Sequence, residues 1–194
     1  MININYLKLL RSQNKSNKNN FIYNIISKRI IDSLDLLKIS FDKSLEIGIN
    51  DNLIYNYLKS KNINSFIERA DICSPKIISN SQDNIFEVDL NNLILKKNNY
   101  NLVYSNFFMH LFPNFEKNLY IISNSLKPNG FFISIIPDKE NIYQLVNSMY
   151  EADLILYKGV HSRFNPTLEI ENILTVLKKL NFNSPTIYSD KITI

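Results

Sequence analysis

Three acidic residues stand at or near the ends of short apolar runs. They are Glu46 in Leu45-Glu46-Ile47-Gly48-Ile49-Asn50-Asp51-Asn52, Asp71 in Ala70-Asp71-Ile72, and Asp89 in Val88-Asp89-Leu90. If the runs are neighbouring strands of one parallel sheet, the carboxylates converge at its C-terminal rim, where open α/β sheets bind ligands. Carboxylates there can accept from ribose hydroxyls and from an exocyclic amine. Gly48 is one of only three glycines in the chain, and a glycine in a strand-to-helix turn lets the backbone approach a ligand closely. A plainer role is open to each: Asp after a strand commonly caps or turns the chain, Glu46 can pair locally, and turns often need Gly.

Other chemistries are thinly supplied. His110 and His161 are the only histidines and Cys73 the only cysteine, which leaves no zinc cluster, no intrachain disulfide and little support for a Cys-His nucleophile. Cys73 reads as a small, partly buried side chain in a reducing compartment. Residues 1–43 carry eight basic and three acidic side chains, and the rest carry 14 and 15, so the net charge of +4 belongs to the leader. A basic arm can steer an acidic partner. Without an Arg stripe, a zinc module or a repeat, nucleic-acid binding is not expected.

The elements that must position the three carboxylates follow from periodicity. The chain has 194 residues, 45% hydrophobic and 21% charged, a mixture that fits a globular domain large enough to bury a core. The composition, 30 Asn and 30 Ile against 3 Gly, with Lys supplying 18 of 22 basic residues, looks like codon drift and says little about chemistry. We expect a basic flexible leader over 1–20 and a domain over 21–194. Within it, apolar residues at three- and four-residue spacings from Phe21 to Leu37 predict a covering helix. Strands are expected at 44–49, 65–70, 84–88, 102–105, 131–136 and 184–188. Helices are expected at 51–60, 75–79, 115–125, 141–156 and 168–180, and 126–130 (Leu-Lys-Pro-Asn-Gly) as a tight turn. This alternation describes an α/β layer fold with a mainly parallel sheet. With no apolar run near the roughly 20 residues of a membrane span and no signal-peptide pattern, a soluble cytoplasmic protein is expected.

The series Glu46-Ile47-Gly48, Ala70-Asp71-Ile72, Val88-Asp89, Tyr100 to Ser105, Met109-His110-Leu111 and Leu126 to Phe131 resembles the ordered motifs of class I S-adenosylmethionine-dependent methyltransferases. The stretches 149–153, 157–159 and 162–166 resemble one branch of that family. It holds the malonyl-carrier-protein methyltransferase of biotin synthesis and a mitochondrial complex I assembly factor with a methyltransferase fold, an arginine hydroxylase. The resemblance implies a Rossmann-like, three-layer α/β/α fold, here lacking the family's terminal antiparallel strand, and S-adenosylmethionine as cofactor. It implies Glu46 near the methionine end, Gly48 and Asn50 on the turn, and Asp71 with Ile72 at the ribose. Asp89 would face the adenine amine, Val88 and Leu90 the ring, and Ser105, Asn106 and His110 the methyl donor. His110 and Arg163 are the catalytic candidates, Arg163 gripping a substrate carboxylate. The implied function is S-adenosylmethionine-dependent methyl transfer to a malonyl thioester carboxylate on a carrier protein, with a complex I assembly factor (arginine hydroxylase-like or noncatalytic) or a degenerate inactive copy as alternatives. The implied partners are an acyl carrier protein or a respiratory-complex subunit. Asn50 and Asn52 stand where the family has further glycines, and Asn tolerates the left-handed conformation those glycines supply.

Overall fold

The computed structural model describes residues 3–13, 21–62, 65–73, 84–161 and 169–192. Its elements run α1 (Ile4–Ser12), α2 (Phe21–Leu37), β1 (Lys43–Ile47), α3 (Leu53–Lys61), β2 (Phe66–Asp71), β3 (Ile85–Glu87), β4 (Tyr100–Asn106), a 3-10 turn (Met109–Leu111), α4 (Phe115–Ser125), β5 (Leu126–Ile135), α5 (Tyr143–Tyr157) and α6 (Ile170–Lys179). The chain falls into two compact units, residues 2–136 and residues 137–194.

The first unit is built on a five-stranded sheet in the order β3-β2-β1-β4-β5, with every neighbouring pair parallel. The expected Rossmann-like α/β sheet is therefore present, and no antiparallel strand joins it among the described residues. The order reverses direction between β1 and β4, so the crevice at their C-terminal ends is the switch point at which such sheets bind ligands. β1 is buried at four of its five positions, and β4 at six of seven, as strands covered on both faces must be.

Helix α2 buries Ile26, Ser27, Ile30 and Leu34. These are spaced three, four and one apart, so they form one stripe on the helix. Ile30 and Leu34 meet Phe41, Ile54, Leu58, Ile67, Leu102 and Tyr104 in a single core, against which Phe131, Ile133 and Ile135 pack. This core packs α2 and α3 against β2 and β4, the strands that flank β1.

Residues 4–12 of the expected leader form helix α1. Asn3 caps it, its side chain accepting from the Tyr6 N–H at 3.0 Å. Ile4, Leu7 and Arg11, at helical spacing behind the Asn3 cap, are only half-buried, and no residue of α1 is fully buried. The tight turn expected at 126–130 is instead a bulge inside β5. Tyr100 pairs with Leu126 and Leu102 with Phe131, and the slack between them is taken up around Asn129, at φ 62°. Pro128, with no N–H to give the ladder, forces that irregularity.

In the second unit, α5 ends at Lys158 in a left-handed conformation, φ 54°, and the His161 N–H donates to the buried Asp153 at 3.1 Å. The strand expected at 184–188 does not form: Ser184 has φ 50° and Pro185 follows it, a pair that breaks extended pairing. The helix expected at 75–79 lies outside the described residues.

Candidate cofactor-binding site

The turn after β1 hangs on Gly48. Its N–H donates to the Ala70 carbonyl at 2.8 Å, and its φ is 87°. A Cβ there would stand 2.2 Å from the Cβ of Phe108, which is wholly buried after β4. Gly48 is thus required twice, by its backbone angle and by the side chain lying on it. The neighbouring asparagines do not use the left-handed freedom expected of them. Among the described residues of this turn only Gly48 has positive φ, and Asn52 sits at φ −111°. Asn50 is buried, with its amide donating to the Asn106 carbonyl.

Asp71 closes β2 with no exposed surface. Its Oδ2 accepts from the Ile49 N–H and its Oδ1 from the Ile72 N–H, each at 2.7 Å. Arg11 of α1 completes the carboxylate, giving Nε to Oδ1 at 2.7 Å and Nη2 to Oδ2 at 2.5 Å. The same guanidinium donates to Asn50 Oδ1 at 3.2 Å and to the Ile49 carbonyl at 3.3 Å, and lies 4.8 Å from the Phe108 ring centre. This fork-to-fork pairing with aromatic stacking is a geometry that Lys cannot reproduce.

Glu46 is also buried, facing the buried Arg69 on β2. Arg69 Nε donates to Glu46 Oε2 at 2.5 Å, and its terminal nitrogens reach Asn52 Oδ1 at 2.8 Å and the Asp51 carbonyl at 3.0 Å. Burial pushes the Glu46 carboxyl up to about 7, with the Arg69 charge pulling the other way.

The Val88 N–H donates to the Asp71 carbonyl at 2.8 Å, which ties the end of β3 to that of β2. Ile72, Val88 and Leu90 are buried, and Asp89 between the last two is exposed. Asp89 Oδ1 accepts from the Asn91 N–H at 2.9 Å, the turn role open to any Asp.

At the end of β4, Ser105 Oγ donates to the Ile47 carbonyl at 2.8 Å and is fully buried, so it braces β1. Asn106 donates to Ser27 Oγ at 2.8 Å, and Ser27 to Asp51 Oδ2 at 2.6 Å. Two buried acceptors beside this chain, Asn106 Oδ1 and His110 Nδ1, have no hydrogen-bond partner among the described residues. His110 is lowered to about 4, by burial first and then by the Arg11 charge, so at neutral pH its imidazole is uncharged.

The structure therefore brings Glu46, Gly48, Asn50, Asp71, Ile72, Val88, Asp89, Leu90, Ser105 and His110 to one rim. Arg163 lies outside the described residues. Sequence reasoning missed Arg11, Arg69 and Phe108. A signal for the first two was present: in a chain where Lys supplies 18 of 22 basic positions, two of the four arginines are those that hold rim carboxylates. Cys73 is half-buried as expected, with its thiol raised by burial and then by Asp71, which disfavours the thiolate. Among the described residues no group of three or more His, Cys, Asp or Glu could hold a metal ion, and no helix is long and apolar enough to cross a membrane.

No protein-family profile matches the chain. Among curated proteins, it is 25% identical over 186 residues to the human protein named arginine-hydroxylase NDUFAF5, mitochondrial, covering 94% of this chain and 54% of that one. The zebrafish (Danio rerio) protein of the same name is 25% identical over 183 residues, 92% of this chain and 57% of that one. The chain thus spans a little over half the length of these relatives. Among solved structures, an S-adenosylmethionine-dependent methyltransferase from Mesorhizobium loti superposes with a TM-score of 0.52 at 13% identity, over 77% of this chain and 79% of that one. One from Aquifex aeolicus does so with a TM-score of 0.55 at 11% identity, over 93% and 89%. With its parallel five-stranded sheet and its rim of acidic strand ends, the chain has the class I methyltransferase-like fold and is similar in sequence to the NDUFAF5 arginine hydroxylases.

Proposed function

We propose that the chain binds S-adenosylmethionine at the β1–β4 rim and works as an NDUFAF5-like protein. The observation that carries this reading is Asp71, a fully buried carboxylate at the end of β2, beside the Gly48 turn and next to the switch point of the sheet. The residues suit the cofactor. Asp71 is a carboxylate placed for a ribose diol, its two outward acceptors being held by Arg11, and exposed Asp89 lies between buried Val88 and Leu90 as an acceptor for an amine. Asn106 Oδ1 and His110 Nδ1 are buried acceptors without partners among the described residues. When bound, the cofactor supplies an electrophilic methyl on a sulfonium. The chain's own part is to bind it, exclude water through Phe108 and the α2 face, and present neutral His110 as an acceptor.

Two activities are compatible with such a site. Sequence similarity over 94% of the chain favours an NDUFAF5-like assembly role, noncatalytic or, given an external two-electron oxidant, directed at arginine as in the relatives' name, with a respiratory-complex subunit as the partner implied by the family resemblance. The alternative is methyl transfer to the carboxylate of a malonyl thioester on an acyl carrier protein. There the nucleophile is already ionised and the protein supplies alignment, with Arg163 as the grip. The cytoplasm and the mitochondrial compartment in the relatives' names both suit a single free cysteine.

Calorimetric titration with S-adenosylmethionine tests the cofactor reading. Binding near one per chain is expected, weakened more than about tenfold by Asp71→Ala, the loss of two charge-assisted bonds. A folded chain that binds none, with or without Arg11, overturns it. Labelled-methyl incorporation into malonyl-loaded carrier protein decides for the alternative activity, and recovery of a respiratory subunit without such incorporation decides for the first.

A further inference from the structure

Helix α1 is tied to the rest of its unit in an unusual way. It buries no residue, and Tyr6, Leu9 and Leu10 are about half exposed, at 58%, 51% and 49%. Besides Arg11, its contacts among the described residues include an exposed Lys8–Glu87 pair at 4.0 Å and the Cys73 thiol on the Lys8 carbonyl at 3.7 Å, with Ile4 and Leu7 only half-buried. Nine residues are too few to hold a helix by themselves in water. Arg11 is different: only 10% of its side chain is exposed, and it makes four hydrogen bonds and a stacking contact at the rim.

The acceptor arithmetic at Asp71 is decisive. An ionised carboxylate offers about four lone-pair sites. Here all are used, by the N–H groups of Ile49 and Ile72 and by two nitrogens of Arg11. The two backbone donors belong to the turns that shape the rim and cannot leave without unfolding it. A vicinal diol can therefore reach Asp71 only by displacing Arg11.

We propose that α1 is a self-occluding strap. In the ligand-free chain Arg11 is a stand-in for the ribose hydroxyls at Asp71, and a nucleoside ligand and the docked helix exclude each other. The proposal rests on the cofactor reading of the rim for the identity of the ligand, but not for the strap. Entry of the ligand then requires α1 to leave, and its apparent affinity is reduced by the fraction of chains in which the strap is docked.

Two measurements on the full chain separate the claims. Hydrogen–deuterium exchange of the α1 amides reads docking without any ligand. Arg11→Gln is expected to abolish α1 protection, and Arg11→Lys to reduce it, since Lys keeps the charge but loses the fork. Titration with S-adenosylmethionine is expected to be at least about tenfold tighter for Arg11→Gln than for the wild type, and to deprotect α1 in the wild type as it binds. Unchanged α1 protection in Arg11→Gln overturns the strap. Equal or weaker binding by Arg11→Gln overturns the exclusion, making Arg11 a ligand-holding or merely structural residue. If neither protein binds while α1 protection falls in Arg11→Gln, the strap stands and the cofactor reading falls.

Discussion

Glu46 and Arg69 are partners in register across β1 and β2, and both are buried where the strands are most covered. The pair ties Asn52 and the Asp51 carbonyl to the sheet, so the β1–α3 turn leans on it. In a low-dielectric interior, removing one member strands the other, whereas replacing both by apolar groups of similar volume can be nearly neutral.

Arg69→Met and Glu46→Leu are each expected to destabilise the chain by about 3–5 kcal/mol, and the double variant by less than either single. Urea denaturation of the four proteins checks it. Additive single effects would show that the two side chains contribute independently.

Gly48→Ala combines a strained angle at φ 87° with a Cβ 2.2 Å from Phe108. A loss of about 3 kcal/mol or more is expected from overpacking and left-handed backbone together. Adding Phe108→Gly to Gly48→Ala should recover the steric part, since an alanine at 108 would keep the Cβ that stands 2.2 Å away, and not the backbone part, which thermal melts of the three variants resolve. If Phe108→Gly brings no recovery, Phe108 is not what excludes the side chain.

Two buried groups pull the pH dependence of stability in opposite directions. Glu46, raised from 4.5 to about 7, keeps a proton in the folded state that the unfolded chain has released, so its contribution is full below 4.5 and lost as pH rises to 7. His110, lowered from 6.5 to about 4, is bare when folded while the unfolded chain is protonated, so its contribution is full above 6.5 and lost as pH falls to 4. Between pH 4.5 and 6.5 the two nearly cancel. His110→Gln should therefore tilt the stability profile downward with rising pH, relative to wild type, by up to about 1.4 kcal/mol per pH unit, and Glu46→Gln should tilt it upward by as much. Urea midpoints across this interval give the slopes; profiles parallel to wild type for both variants would refute the assignment.

Much of the framework was readable from the chain. Helix α2 carries its apolar stripe openly, and β1, β2 and β4 announce themselves as apolar runs ending in Gly48, Asp71 and Asn106. Those signals are local, because periodicity and turn chemistry act over a few residues. The bulge of β5 was only half legible: Pro128 and Gly130 marked an irregularity, but whether it preceded the strand or lay within it depended on the register against Tyr100 and Leu102. The strand expected at 184–188 shows the reverse, an apolar run with no partner to make it a strand.

The sequence by itself determined that Glu46, Asp71 and Asp89 stand at or near strand ends, since each is placed by its own strand; that these strands are neighbours, in the order β3-β2-β1-β4-β5, came from the tertiary structure. What those carboxylates touch was decided only by the tertiary structure. Arg11 reaches Asp71 across 60 residues and Arg69 reaches Glu46 across 23. Nothing in a local pattern says which buried charge will be met by which cation. That choice is made by desolvation, which leaves no carboxylate in the interior without a donor, and by the one folded arrangement that brings a donor within reach.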